Sequence, residues 1–314
     1  MKAVIAVGLV AGVLGAATAG AADRRPVVIT TDIGTEIDDL WAVAHLLISP
    51  ELDVKGVVTT HAPNLAAPAA ESSSKYAQEL MNTIPARFRV PVIAGASKKL
   101  ENTTVPAASP GVDLLLEAAK GRTPENRLTV VMLGAATDVA AAILIDPSWA
   151  NRVSLVAMGF DGFPKGGDPW NVRNDPIAWR VVLGSSAPIA IGDVDITKRT
   201  LRMTPDRAHT LLAQLGEPGA LLLARFDTFL AHNAAAAQRE TGSPIVWPIW
   251  DEVVAAHLIG ATRAESRPRP RLRDDLSFDL ENPVGTIDWI TAVDDGKVWQ
   301  DLVNKIKAAA AGGP

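Results

Sequence analysis

From Arg25 onward, short apolar runs alternate with longer stretches in which apolar residues recur every three or four positions. The runs "RPVVITTD" (25–32), "LDVKGVVTT" (52–60), "VPVIAG" (90–95), "LTVVMLG" (128–134), "RVSLVAMG" (152–159) and "APIAIGD" (187–193) have strand length and few polar interruptions, the pattern of strands buried on both faces. Between them, "DDLWAVAHLLIS", "GVDLLLEAAK", "TDVAAAILID" and "DPIAWRVVLG" carry helical spacing. Repeated βαβ units imply an α/β fold with a mainly parallel central sheet flanked by helices on both faces. Residues 201–262 read as largely helical, and 263–285, rich in Pro, Arg and Asp, as a long surface connection. No internal repeat and no composition shift divides the chain, so residues 23–314 are expected to form a single domain.

The first 22 residues do not belong to that pattern. "MKAVIAVGLVAGVLGAATAGAA" has a lysine at position 2, an apolar stretch, and small residues in A-x-A spacing at Ala17/Ala19 and Ala19/Ala21. This is the form of a cleaved signal peptide, which predicts a periplasmic or secreted protein with no membrane attachment after processing. Removing it leaves about 290 residues, ample for one large core. Cysteine is absent, so no disulfide framework stabilises the exported chain. The net charge of −5 and the lack of any Lys/Arg block argue against nucleic acid or an anionic membrane as partner and favour a small neutral ligand.

In open parallel sheets, ligands collect at the carboxyl ends of the strands. Three such ends stand out: "TTDIGTEIDD", "TTHAPN" and "MGFDG". Asn64 and Asp161, in the second and third, are equally well explained as turn residues. The first packs Asp32, Glu36, Asp38 and Asp39 into eight positions. One acid, Asp38, caps the following helix in this reading, and a second gains from the helix dipole, each worth up to about 1 kcal/mol. Two carboxylates about 4 Å apart repel by roughly 4 kcal/mol at an effective dielectric of 20, so capping does not account for the cluster whereas a bound cation does. All-oxygen donors select a hard ion, calcium or magnesium. The five histidines offer no zinc spacing; His45 and His257 sit in apolar helical stretches as packing or surface residues, and only His61, in a strand-end loop, is placed near a site.

These segments carry a resemblance. A strand, an acidic loop ending in "DD", a helix and then "GVVTTHAPN" resemble the start of the nucleoside hydrolases, calcium-dependent N-ribohydrolases. The similarity continues in the family's order through "VPVIAGASKKL", "VVMLGAATDVAAAI", "VAMGF", "WNVRNDPIAW" and "PIWDEVVAAHL". It implies hydrolysis of the N-glycosidic bond of a ribonucleoside, with Ca²⁺ as cofactor and a homodimer or homotetramer as the assembly. By the same resemblance Asp32 is the general base and a calcium ligand. Asp39, Asp251 and the backbone carbonyl of Leu133 complete the protein ligands. Asp38 holds ribose hydroxyls, Asn64 and Asn171 hold the sugar, and Met158 lies beneath it.

The departures from the family pattern are specific. The family loop has the form D-x-D-P-G-x-D-D; here Thr30 replaces the first Asp, Ile33 replaces Pro, and "GTEI" adds two residues before Asp38. Glu36 then either faces solvent or takes part of a ligand role. The family glutamate two positions before the sugar-binding asparagine falls on Pro169, with Asp168 beside it as a substitute. Pyrimidine-tolerant members carry a histidine where this chain has Trp250, and purine-preferring members resemble it in having tryptophan there, which implies stacking on a purine leaving group. Two other classes fit the sequence less well. A solute-binding protein for a sugar or nucleoside requires two similar lobes and has no use for the acidic cluster. A phosphohydrolase with an aspartyl nucleophile requires a second aspartate where Gly34 stands.

Overall fold

The computed structural model describes residues 24–167 and 169–312, so the leader and Asp168 lie outside it. Twelve strands run β1 Arg25–Thr31, β2 Leu52–Thr59, β3 Val92–Ala94, β4 Leu128–Met132, β5 Val153–Met158, β6 Ile189–Gly192, β7 Arg202–Met203, β8 Trp247–Pro248, β9 Thr262–Pro268, β10 Arg271–Leu272, β11 Phe278–Asp279 and β12 Thr286–Val293. The helices are α1 Asp38–Leu47, α2 Ala69–Thr83, α3 Pro110–Ala118, α4 Thr137–Ile145, α5 Trp170–Asn174, α6 Pro176–Gly184, α7 Val194–Thr200, α8 Pro205–Leu212, α9 Gly216–Thr241, α10 Glu252–Leu258 and α11 Asp295–Ala310.

Eight strands form one sheet in the order β3-β2-β1-β4-β5-β6-β12-β9, parallel throughout except for β9. Each of the six apolar runs is a sheet strand. Their near-continuous hydrophobicity has its cause in two cores: Val27 and Ile29 of β1 pack into one, with α1, α9, α10 and α11, while Val28 packs into the other, with α3, α4 and α6. The chain builds β1, β2 and β3 in one direction and then returns to place β4 on the far side of β1. The strand order therefore reverses between β1 and β4, which opens a crevice at their carboxyl ends.

The segment 263–285 is not a surface connection. Its first part, β9, pairs antiparallel with β12 from Thr262 to Pro268 and forms an edge of the sheet. Most of β9 is solvent-exposed, including Arg263, Glu265 and Ser266, so no apolar pattern marks it as a strand. Beyond it, the buried Arg269 guanidinium donates to the carbonyls of Ser185, Ala187 and Thr286 and ties the turn to the sheet. No described helix is long and apolar enough to cross a membrane.

One buried polar bridge fixes the helices that frame the crevice. His45 of α1 is fully buried; its Nδ1 lies 3.0 Å from Glu252 of α10 and its Nε2 2.8 Å from Asp301 of α11. Burial by itself would lower the imidazole pKa, but the Glu252 charge and the bonds to both carboxylates hold it above its ordinary 6.5. A raised folded-state value means that the contribution is complete below about pH 6.5 and is lost as pH rises through that value. His45→Ala, which strands a buried carboxylate, should cost on the order of 3 kcal/mol at pH 6 and less at pH 9 in urea unfolding. A penalty that grows with pH would contradict the charged bridge.

Candidate functional site

β1 delivers Asp32 to the carboxyl edge of the sheet, where it is 1% exposed. The chain then turns through Gly34 at φ +103°, with the Tyr76 ring packed where a Cβ would stand. It re-enters structure at Asp38, the first residue of α1. Asp38 is therefore not the cap: that position falls on Ile37, whose side chain makes no capping hydrogen bond. Asp38 and Asp39 sit instead in the first turn with both side chains buried. From the other side, Asp251 immediately precedes α10 and is equally buried. Gly134, just beyond β4, allows the two strand ends to close up, since a Cβ there would lie 2.7 Å from the Asp32 amide nitrogen.

One carboxylate oxygen from each of Asp38, Asp39 and Asp251 lies within 4.8 Å of the others. Their hydrogen bonding is unequal. Asp39 Oδ1 accepts from the Thr31 hydroxyl, whereas Asp38 Oδ1 and both Asp251 oxygens are buried with no protein donor. Asp32 Oδ2 accepts from the Trp170 indole N–H at 2.9 Å. Burial pushes Asp32 up to about 7, against the pull of that indole. Burial likewise raises Asp38 to about 7, with the Asp32 charge adding to it. Asp39 and Asp251 are raised well above the usual carboxylate range by burial first and then by their acidic neighbours.

The acids line a cavity of about 330 Å³ together with Leu133, Met158, Asn171, Trp170, Trp247 and Trp250. That volume is at the lower end of the range for small-molecule sites. Asn171 is held by Trp179, whose indole donates to its carbonyl at 3.0 Å, and its amide donates to the Leu133 carbonyl at 2.5 Å and to Met158 O at 3.3 Å. The Leu133 oxygen thus already accepts one hydrogen bond, and a carbonyl has a second lone pair to offer. Trp250 packs edge-on against Trp247, with ring centroids 6.1 Å apart.

Most of the residues expected from the sequence converge here: Asp32, Asp38, Asp39, Leu133, Met158, Asn171, Trp250 and Asp251 all line the cavity. The closest acid trio contains Asp38 where the resemblance implied Asp32. Glu36 also lines the cavity rather than standing apart in solvent; burial, Asp38, Asp32 and Glu240 raise its pKa well above the ordinary value, while Arg173 opposes them. Asn64 is outside the lining, exposed on its loop, with its amide 3.4 Å from the Thr35 carbonyl. His61 is also outside it, bonded at 2.9 Å to the Thr137 hydroxyl, which donates in turn to Asp175. Thr31 and Trp170 were not legible as site residues, although both lie inside quoted motifs beside residues that were.

The fold and this acid-lined crevice do not by themselves fix an activity; the comparisons with known proteins make the chain a hydrolase acting on N-glycosyl compounds. The family described as "Inosine-uridine preferring nucleoside hydrolase" matches residues 27–300. The chain is 26% identical over 243 residues to "Probable uridine nucleosidase 2" of Arabidopsis thaliana, covering 68% of this chain and 72% of that protein. It is 29% identical over 231 residues to "Non-specific ribonucleoside hydrolase RihC" of Shigella flexneri, covering 66% and 72%. The solved structure of a purine-preferring ribonucleoside hydrolase from Gardnerella vaginalis superposes with a TM-score of 0.74 at 19% identity, over 91% of this chain and 99% of that one. The chain belongs to the inosine-uridine preferring nucleoside hydrolase family. Among the described residues one eight-stranded sheet is joined only by the two-stranded pairs β7-β8 and β10-β11, whereas a solute-binding protein has two similar lobes.

The unpaired oxygens of Asp38 and Asp251 are donors suited to a hard divalent cation. Without a cation, burial holds on Asp32 and Asp38 up to about pH 7 protons that the unfolded chain releases near pH 4, so their contribution to stability is complete below about pH 4 and is lost progressively as pH rises through 7. Millimolar Ca²⁺ should therefore raise Tm by on the order of 5 °C at pH 8 and by much less at pH 5. An equal gain at both pH values in calorimetry would place the ion elsewhere.

Proposed function

We propose that the protein is an exported, Ca²⁺-dependent ribonucleoside hydrolase that prefers purine nucleosides and releases ribose and the free base. The observation that carries this reading is the convergence of buried, partly unpaired carboxylates in one cavity with Asn171 and an aromatic wall. Asp39, Asp251 and Asp38 would hold the ion, with Asp32 and the Leu133 carbonyl adjoining. When bound, the cation supplies a fixed positive charge that orients water and ribose hydroxyls.

The remaining chemistry belongs to the chain. Asp32, buried and raised to about 7, is matched to accept a proton from the attacking water near neutral pH. The Trp170 indole holds one of its oxygens, which leaves the other for that proton. C–N cleavage develops oxocarbenium character at the sugar, and the surrounding carboxylates stabilise it. Asp38 and Asn171 are assigned to the ribose hydroxyls, Met158 to the face beneath the sugar and Trp250 to the base. Asn64 joins them only by movement of its loop. Purine preference rests on Trp250, because a fused ring offers more stacking area than a pyrimidine, an effect of roughly 0.5–1.5 kcal/mol. Export rests on the leader, and assembly as a dimer or tetramer rests on the family resemblance.

Asp32→Asn should reduce kcat on inosine by at least about 100-fold with the folded CD spectrum retained, since an amide cannot take the proton. Near-normal turnover would remove Asp32 as the base. Trp250→Ala should lower kcat/KM for inosine more than for uridine, narrowing the purine-to-pyrimidine ratio by about three- to tenfold. An unchanged ratio would withdraw the purine preference while leaving the hydrolase reading intact.

A further inference from the structure

Bond cleavage to a purine leaves negative charge on the base unless a proton reaches it, and no histidine is among the described residues that line the cavity. The wall has two cations, Arg173 and Lys198. Arg173 lies over the Trp170 ring at 5.1 Å, and Trp170 is the partner of Asp32, so this cation stands on the side of the attacking water. A guanidinium in any case does not release its proton. Lys198, from α7, lies over the Trp250 ring with Nζ 5.8 Å from the centroid. Its ammonium is also paired at 2.8 Å with Glu240, near the end of α9, and both side chains line the same cavity. An exposed ion pair stabilises a fold by at most about 1 kcal/mol, which gives no reason to set one on a cavity wall above a tryptophan.

We propose that Lys198 is the general acid that protonates the leaving base, with Trp250 stacked on that base and Glu240 aiming the ammonium. The inference rests on the ribohydrolase reading and adds the group that activates the leaving base. The C1′–N bond breaks and its electron pair passes into the heterocycle. The water oxygen bonds to C1′ and gives its proton to Asp32. Lys198 Nζ gives a proton to a ring nitrogen, and the base departs neutral. Lys198, left as an amine, regains a proton from solvent, to which its side chain is 34% exposed; Asp32 returns its own proton to solvent. The net reaction consumes one water and no other reactant.

The test compares inosine with 4-nitrophenyl β-D-ribofuranoside, whose nitrophenolate leaves without a proton, in the full-length protein supplied with Ca²⁺. Lys198→Met keeps the aliphatic stem and removes the donor; it should lose about 100-fold in kcat on inosine but under about fivefold on the nitrophenyl riboside. Lys198→Arg keeps the charge and should fail to restore inosine turnover, because it does not give up its proton. Equal losses on the two substrates, or recovery of inosine turnover by Lys198→Arg, would overturn proton donation by Lys198 and leave the ribohydrolase reading standing. Wild-type protein that cleaves neither substrate would overturn both.

Discussion

Four carboxylates held out of water within reach of one another form the constraint on which the rest of this structure depends. Asp32, Asp38, Asp39 and Asp251 come from two distant chain segments, 32–39 and the start of α10, and each is at most 6% exposed. Their mutual repulsion and lost hydration oppose folding, so the scaffold must hold them in place by other means. It does so with two full apolar cores on either side of the sheet and with the His45 bridge, which joins α1, the helix that begins with Asp38, to α10, the helix that follows Asp251. Among the described residues, the neutral side chains that donate to the cluster are Thr31, on Asp39, and Trp170, on Asp32. The donors are sparing, and the site keeps its oxygens available.

The topology explains why the acids meet where they do. The reversal of strand order between β1 and β4 opens a crevice at the strand ends, and Asp32 and Leu133 are the residues that emerge there. Trp170 and Trp250 then divide the cavity. One indole is tied by its N–H to an acid at the floor; the other is packed at its edge by Trp247 and has an ammonium over its ring. Two chemically similar side chains thus line one pocket with quite different partners.

What the sequence revealed follows the range of the forces involved. The strands β1, β2, β4, β5 and β6 announce themselves because burial on both faces demands unbroken apolar runs. β9 does not, because an edge strand exposed from Arg263 to Ser266 has little burial to record in its composition. Asp32, Asp38 and Asp39 were legible as a local crowd of like charge that no cap accounts for. Asn64 was matched by motif, but its loop position depends on tertiary contacts, here with the Thr35 carbonyl. Lys198 and Glu240 come from different helices, and neither has a neighbour in the sequence that marks it; only the fold brings them to Trp250.

The two borders of the sheet bear on how this chain meets other copies of itself. One border is β3, three residues long, and the other is β9, studded with alternating basic and acidic side chains and closed by Pro268. A short border offers few free backbone groups to a passing strand, and a charged one repels its own duplicate. For a chain without disulfides that folds among many others like it, this limits runaway strand-to-strand growth at both sides. Both borders thus disfavour extension of the backbone ladder and leave helix faces and loops, where side-chain shape decides the partner, as the surfaces open to ordered contact.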